Sequence, residues 1–267
     1  MARGLDHIVH AVRDLDAAAE FYRRAGFTVG ARNRHPWGTH NQIVQFPGAF
    51  IELVTVGEPG LVASATPGSF SFGGFVRDFL ARGEGLAMLV LEGEGAADDA
   101  GAFRLAGIGD FKLFDFERDA KRPDGSPVKV AFSLAFAADT KAPDIGYFTC
   151  QQHYPENFWN PKFQTHANGV TGVAGVTMAA EDPEHHRHFL SAFTGVGEVM
   201  SNAGGIAVET PRGAIEVMKP AAYRDYAGTE PPDLARGARL AAIRFAGGNR
   251  ARLLPDQAFG ATLIFGA

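Results

Sequence analysis

With 267 residues the chain has room for one or two domains and a real hydrophobic core. Lysine and arginine number 25 against 30 aspartates and glutamates, a net charge of −5 without a basic block, which argues against a nucleic-acid partner. The single cysteine, Cys150, rules out an intrachain disulfide, a zinc finger and a CxxC redox pair, and reads as a small buried hydrophobe.

The opening MARGLDHIVHAVRD lacks the basic patch and apolar stretch of a secretory signal. No apolar run reaches the ~20 residues that span a bilayer, so a cytoplasmic protein with no membrane partner is expected. Leu5–Val12 reads as a strand, with His7 and His10 on opposite faces and His10 packed towards the following helix. Asp14 or Asp16 can cap that helix, Ala18, Phe21, Tyr22 and Ala25 share one face of it, and Gly26 stops it before a strand at Phe27–Val29. Asn41–Phe46, the turn Pro47-Gly48 and Phe50–Val56 form a hairpin. A two-residue turn pairs Phe46 with Ala49 and Ile43 with Glu52, which sets His40 on the face opposite Glu52; a one-residue slip reverses that.

Gly57–Glu84 reads as a connector docked on the protein by its phenylalanines. Gly85–Ile108 then lies over Gly4–Phe27 without a gap, matching Gly4/Gly85, Leu5/Leu86, Val9/Val90, Arg23/Arg104, Ala25/Ala106 and Gly26/Gly107. The plan continues in strands at Phe111–Arg118, Val128–Phe136 and Ile145–Gln152, the first two joined by the turn RPDGSP. A third copy, Gly172–Gly195, leads to strands at Ile206–Glu209 and Ala214–Met218, and a remnant fourth holds Leu240–Phe245 and Leu263–Phe265 without an evident helix. Pro155–Gly169 and Pro220–Gly237 read as irregular connections. The organisation is therefore one module at 4–56, a connector at 57–84, a second module at 85–153, a third at 170–220 and a degenerate fourth at 238–267.

Glu52 stands between Ile51 and Leu53, where an unpaired carboxylate would be costly, so it calls for a metal or a cationic partner. Glu216 in AIEVM repeats that pattern. His185, His186 and His188 sit beside Glu184 and Arg187 and read as a solvated helical face, while His35 and His166 lie in loops, either exposed or lining the cup. In TCQQHYPENFWNPKF, Tyr154, Phe158 and Trp159 offer aromatic walls, and Gln151, Gln152, Glu156 and Asn157 offer polar contacts, a mixture that suits a substrate pocket or an anchored corner. Phosphate-loop, dinucleotide and HExxH patterns are absent.

The segment LDHIVHAVRDLDAAAEFYRRAGF resembles the opening of a vicinal oxygen chelate module, the βαβββ unit of glyoxalase I and extradiol dioxygenases, and HPWGTHNQIVQFPGAFIELVTV resembles its glyoxalase-like branch. The resemblance implies an α+β fold in which tandem βαβββ modules pair into cup-shaped mixed sheets with helices outside. It also implies one divalent metal, Fe, Mn, Ni or Zn, held by residues of the first and fourth strands, positions that match His7 and Glu52. The corresponding first-strand positions in the second and third copies are Met88 and Gly175, so the four-ligand glyoxalase I set is absent. For a third ligand, His153 shares the parity of Thr149 and Gln151 at a strand end, and His40 is the second choice. Such a metal would chelate vicinal oxygens of a small oxygenated or aromatic substrate, with Glu52 or Glu156 moving protons, in an isomerase, lyase or ring-cleaving dioxygenase. The alternative is a non-enzymatic, antibiotic-type binding protein with a metal-free cup. Modules of this kind often pair across subunits, which allows a homodimer.

Overall fold

The computed structural model describes residues 1–121 and 125–266. It is an α+β fold with two mixed sheets, one strongly curled into a half-barrel. The first contains β1 (Leu5–Ala11), β2 (Asn33–Arg34), β3 (Thr39–Phe46), β4 (Ala49–Val56), β5 (Gly85–Glu92), β6 (Phe114–Lys121), β7 (Pro127–Ala137) and β8 (Gly146–Gln152). Their order across the sheet is β2-β3-β4-β1-β5-β8-β7-β6. The second contains β9 (Val170–Ala179), β10 (Met200–Asn202), β11 (Gly205–Glu209), β12 (Ala214–Met218), β13 (Arg239–Gly247), β14 (Ala251–Leu253) and β15 (Thr262–Phe265), in the order β10-β11-β12-β9-β13-β15-β14. Both repeat one plan: β1 runs parallel to β4 and antiparallel to β5, as β9 does with β12 and β13.

The helices are α1 (Leu15–Arg24), α2 (Phe72–Arg82), α3 (Ala96–Leu105), the single turn α4 (Pro155–Phe158), α5 (Arg187–Thr194) and α6 (Pro220–Ala227). Asp14 caps α1 by accepting from the amides of Asp16 and Ala17, and Gly26, with φ of 86°, closes it. The large core fills the space where both sheets meet and packs Ala18, Tyr22, Phe103 and Phe193 of α1, α3 and α5. A second cluster lies on the other face of the first sheet, where Phe72, Val76 and Phe79 of α2 cover Val9, Ala11 and Val54. No helix among the described residues is long and apolar enough to cross a membrane.

Several expectations change. Phe27–Val29 is not a strand; the short β2 follows at Asn33–Arg34. Residues 57–84 contain α2, capped by the Ser71 hydroxyl accepting from Gly74 N–H. The region 220–237 begins with α6, whose Tyr223 is fully buried and hydrogen-bonds Thr262 at 2.8 Å. The first three residues of the turn expected at 122–127 lie outside the described residues. His186 is not solvated: it is buried and hydrogen-bonded through Nδ1 to Asp139 Oδ2 at 2.6 Å, while His185 and His188 are exposed.

His10 ties the two sheets together. Its Nε2–H donates to the carbonyl of Phe259 at 2.9 Å, and the Tyr22 hydroxyl, 3.0 Å away, donates to Nδ1. Burial, only partly offset by that carbonyl and Glu84, holds its pKa down to about 4. The unfolded chain takes up this proton near pH 6.5, so stability falls as the pH drops from about 6.5 to 4, by roughly 3 kcal/mol across the window. Urea unfolding at pH 7 and pH 4.5 should show a smaller loss in His10→Gln than in the unsubstituted protein. Equal losses in both would assign the acid sensitivity elsewhere.

Candidate functional site

The pleat of the first sheet sends alternate side chains of β1, β3, β4, β6, β7 and β8 towards one concave face. There a cavity of about 60 Å³ is walled mainly by phenylalanine rings and holds His7, His35, Asn41, Glu52, Arg118 and Cys150. The register Phe46 to Ala49 and Ile43 to Glu52 puts Asn41, not His40, beside Glu52. Asn41 Nδ2 donates to Glu52 Oε1 at 2.6 Å and lies 3.3 Å from His35 Nε2. Since that amide nitrogen can only donate, His35 carries its proton on Nδ1 and gives it to the Thr39 hydroxyl at 2.8 Å. Burial lowers the His35 pKa, against the opposing pull of Glu52, and keeps the ring neutral.

His7 has a partner from its own strand. Leu5 pairs with Leu91 and His7 with Val90, so Asp6 is the extra residue of a β-bulge. A regular pleat would send Asp6 to the face away from His7. The bulge instead brings Asp6 Oδ2 to 2.6 Å from His7 Nδ1, while Asp6 Oδ1 accepts from Gln152 Nε2 at 3.1 Å. Both residues are buried. The carboxylate fixes the proton on Nδ1 and leaves the Nε2 lone pair free on a ring that borders the cavity, stacked on Phe50 at 4.1 Å and edge-on to Phe148 at 5.5 Å. Burial, with smaller contributions from Asp6 and Glu52, raises the Cys150 pKa well above its usual value, so the sulfur is a neutral thiol.

Of the residues singled out from the sequence, His7, Glu52 and Phe158 border this cavity, and Trp159 stands behind Phe158 with its ring 5.9 Å from Phe50. The others lie elsewhere. Phe148 and Cys150 take the concave parity of β8, so Thr149, Gln151 and His153 do not. Gln151 turns to the start of α3, accepting from Ala96 N–H and donating to the Glu94 carbonyl. His153 is exposed and sits 2.8 Å from the Ser133 hydroxyl, and Tyr154 lines the same outer hollow. Glu156 is exposed on α4. His40 binds Glu58 at 3.0 Å, away from Glu52. His166 accepts from Thr28 N–H and donates to the Gln45 carbonyl beneath Phe27 and Phe46. Glu216 pairs with Arg244 at 3.7 Å and Thr177 in the second sheet.

The ligand set expected for a divalent metal is not assembled. His7 and Glu52 share the cavity, but among the described residues no three side chains of His, Cys, Asp or Glu come together in a way that could hold an ion. His35, 3.9 Å from Glu52 Oε1, has both ring nitrogens engaged. The donor set does not fit a resident divalent ion.

Asp6 and Arg118 were missed from the sequence, whereas His35, left open there between exposure and the cup, lines the cavity. Arg118 had a signal: it follows Phe114 and Phe116 at intervals of two, a cation ending an apolar stripe.

A model of a family described as glyoxalase-like domain matches residues 5–194. No curated protein matches the chain. Among solved structures, a hypothetical protein from Staphylococcus aureus superposes with a TM-score of 0.75 at 12% identity, covering 99% of each chain. A mutant of 4-hydroxymandelate synthase from Streptomyces coelicolor gives 0.51 at 12%, covering 91% of this chain and 71% of that one. A methylmalonyl-CoA epimerase in complex with methylmalonyl-CoA and ammonium gives 0.40 at 18%, covering 57% and 96%. At these identities the first two likenesses concern the fold alone.

Proposed function

We propose, from the premise that the chain belongs to the glyoxalase-like domain family of the vicinal oxygen chelate superfamily, that the cup of the first sheet moves a proton on a small oxygenated molecule. One observation carries this reading: the His7 ring, fixed by Asp6 with Nε2 free, borders a phenylalanine-walled cavity that also holds Glu52. In this reading Nε2 takes a proton from the carbon beside a carbonyl, and the electron pair left behind moves onto the carbonyl oxygen. Asp6 offsets the charge gained by the imidazole. Return of that proton from His7 to a different position or face completes an isomerisation. The aromatic walls exclude water and strengthen each of these interactions. A cavity of about 60 Å³ favours a small aliphatic substrate over an aromatic one, which would need the rings to part. We place the protein in the cytoplasm, the location expected from its sequence.

Proton transfer is read directly in D2O. Short-chain oxo and hydroxy acids incubated with the protein should lose α-proton NMR signals faster than without it. Elemental analysis of protein purified without chelator should find well under one equivalent of Fe, Mn, Ni or Zn. Stoichiometric metal lost in His7→Ala and Glu52→Ala would replace this reading with the metal-dependent one. Ligand binding without exchange would instead favour a binding protein.

A further inference from the structure

Arg118 stands out among the partly buried cations. Arg3 pairs with Asp99, Arg32 with Asp16, Arg212 with Glu92, and Arg239 with Asp144. Arg118 is half-buried at the cavity and, among the described residues, its guanidinium makes no hydrogen bond and has no carboxylate within 4 Å. Burial lowers its pKa with no offsetting contribution from an acidic neighbour, yet a guanidinium keeps its charge. A charge partly withdrawn from water without a partner is costly, and an anion bound in the cavity would offset that cost. Trp37 lines the same cavity, and its indole Nε1–H is buried without an acceptor. Trp37 packs on Phe116 at 5.0 Å, and Arg118 follows Phe116 by two residues on the same face of β6. The neutral His35 supplies no counter-charge.

We propose that Arg118, with the Trp37 indole N–H, receives the carboxylate of a short-chain aliphatic acid. The inference rests on the cup being the substrate site and names the substrate class. Charge sets the orientation: the substrate carboxylate is drawn to Arg118 and repelled by Glu52, so the apolar end and its C–H bonds lie towards Glu52 and His7. Arg118 is then the specificity-determining residue.

The test uses butyrate and butyramide, equal in size and different in charge, titrated at pH 7.5 with the two tryptophan indole N–H signals followed by NMR. Trp37→Phe assigns the signals. Butyrate should bind about 10- to 100-fold more tightly than butyramide, as expected for charge-assisted hydrogen bonds, and should move the Trp37 signal. Arg118→Gln should erase the preference, and Arg118→Lys should keep part of it. Equal binding of both probes overturns the inference while leaving the cup as a binding site. A preference that survives in Arg118→Gln overturns the role of Arg118, and binding of neither probe overturns both. An Arg118-dependent preference without any α-proton exchange upholds this inference and rejects the proton-transfer reading alone.

Discussion

Replacing His7 by glutamine is expected to slow enzyme-dependent α-proton exchange about 10²- to 10⁴-fold, the usual share of a general base. Glutamine keeps much of the volume and polarity of the imidazole but has no basic nitrogen. Asp6→Asn should cost a comparable factor for a different reason. Its amide can present a donor to Nδ1, which favours the tautomer with the proton on Nε2 and removes the lone pair that faces the cavity. As a positioning residue, Asp6 should affect kcat with little change in KM, and butyrate should bind both variants as it binds the unsubstituted protein. Exchange at the original rate in either variant would remove the Asp6–His7 pair from the reaction.

The largest expected effect on stability comes from Asp144. Its buried carboxylate accepts from Arg82 Nη2 at 2.9 Å and Arg236 Nε at 3.0 Å, and stands 3.8 Å from Arg239 Nη1. These arginines come from the end of α2, the loop before β13 and β13 itself, so one carboxylate binds the helix over the cup to the second sheet. Arg239 also lies over the Phe79 ring at 5.3 Å, and burial lowers its pKa, with Asp144 opposing. Asp144→Asn would leave three guanidinium groups together without their counter-charge. The cost is about 3 kcal/mol, the lower end for removing one partner of a buried pair, or a Tm lower by roughly 6–12 °C in a chain of this size. Melting curves at low and moderate salt check this, and added salt should restore part of the loss by screening the arginines. A shift of a degree or less would mean that water already screens the cluster.

The sequence by itself determined the features governed by local chemistry. Asp14 and Gly26 marked the ends of α1, the Pro47-Gly48 turn fixed the β3–β4 register, and strand alternation put His7 and His10 on opposite faces of β1. The docked phenylalanines of residues 57–84 were legible too, but the helix that carries them was not. Gly73 and Gly74 argue against a helix start, whereas in the fold a Cβ on Gly73 would come within 2.6 Å of the Trp37 carbonyl, so that glycine records a close approach.

The composition of the site was decided by tertiary structure. β8 is buried on both faces over most of its length, so its alternation carries no sign of which side meets the cup, and the expectation for His153 failed there. Asp6 reaches His7 because β5 pairs with β1 out of register by one residue, a property of two strands nearly 80 positions apart. Arg118 gains its meaning from having no carboxylate partner among the described residues, which becomes visible only once the strands have been packed. Caps, turns and parity depend on neighbours within a few residues, whereas the face, partner and burial of a side chain depend on strands that meet only in the folded sheet.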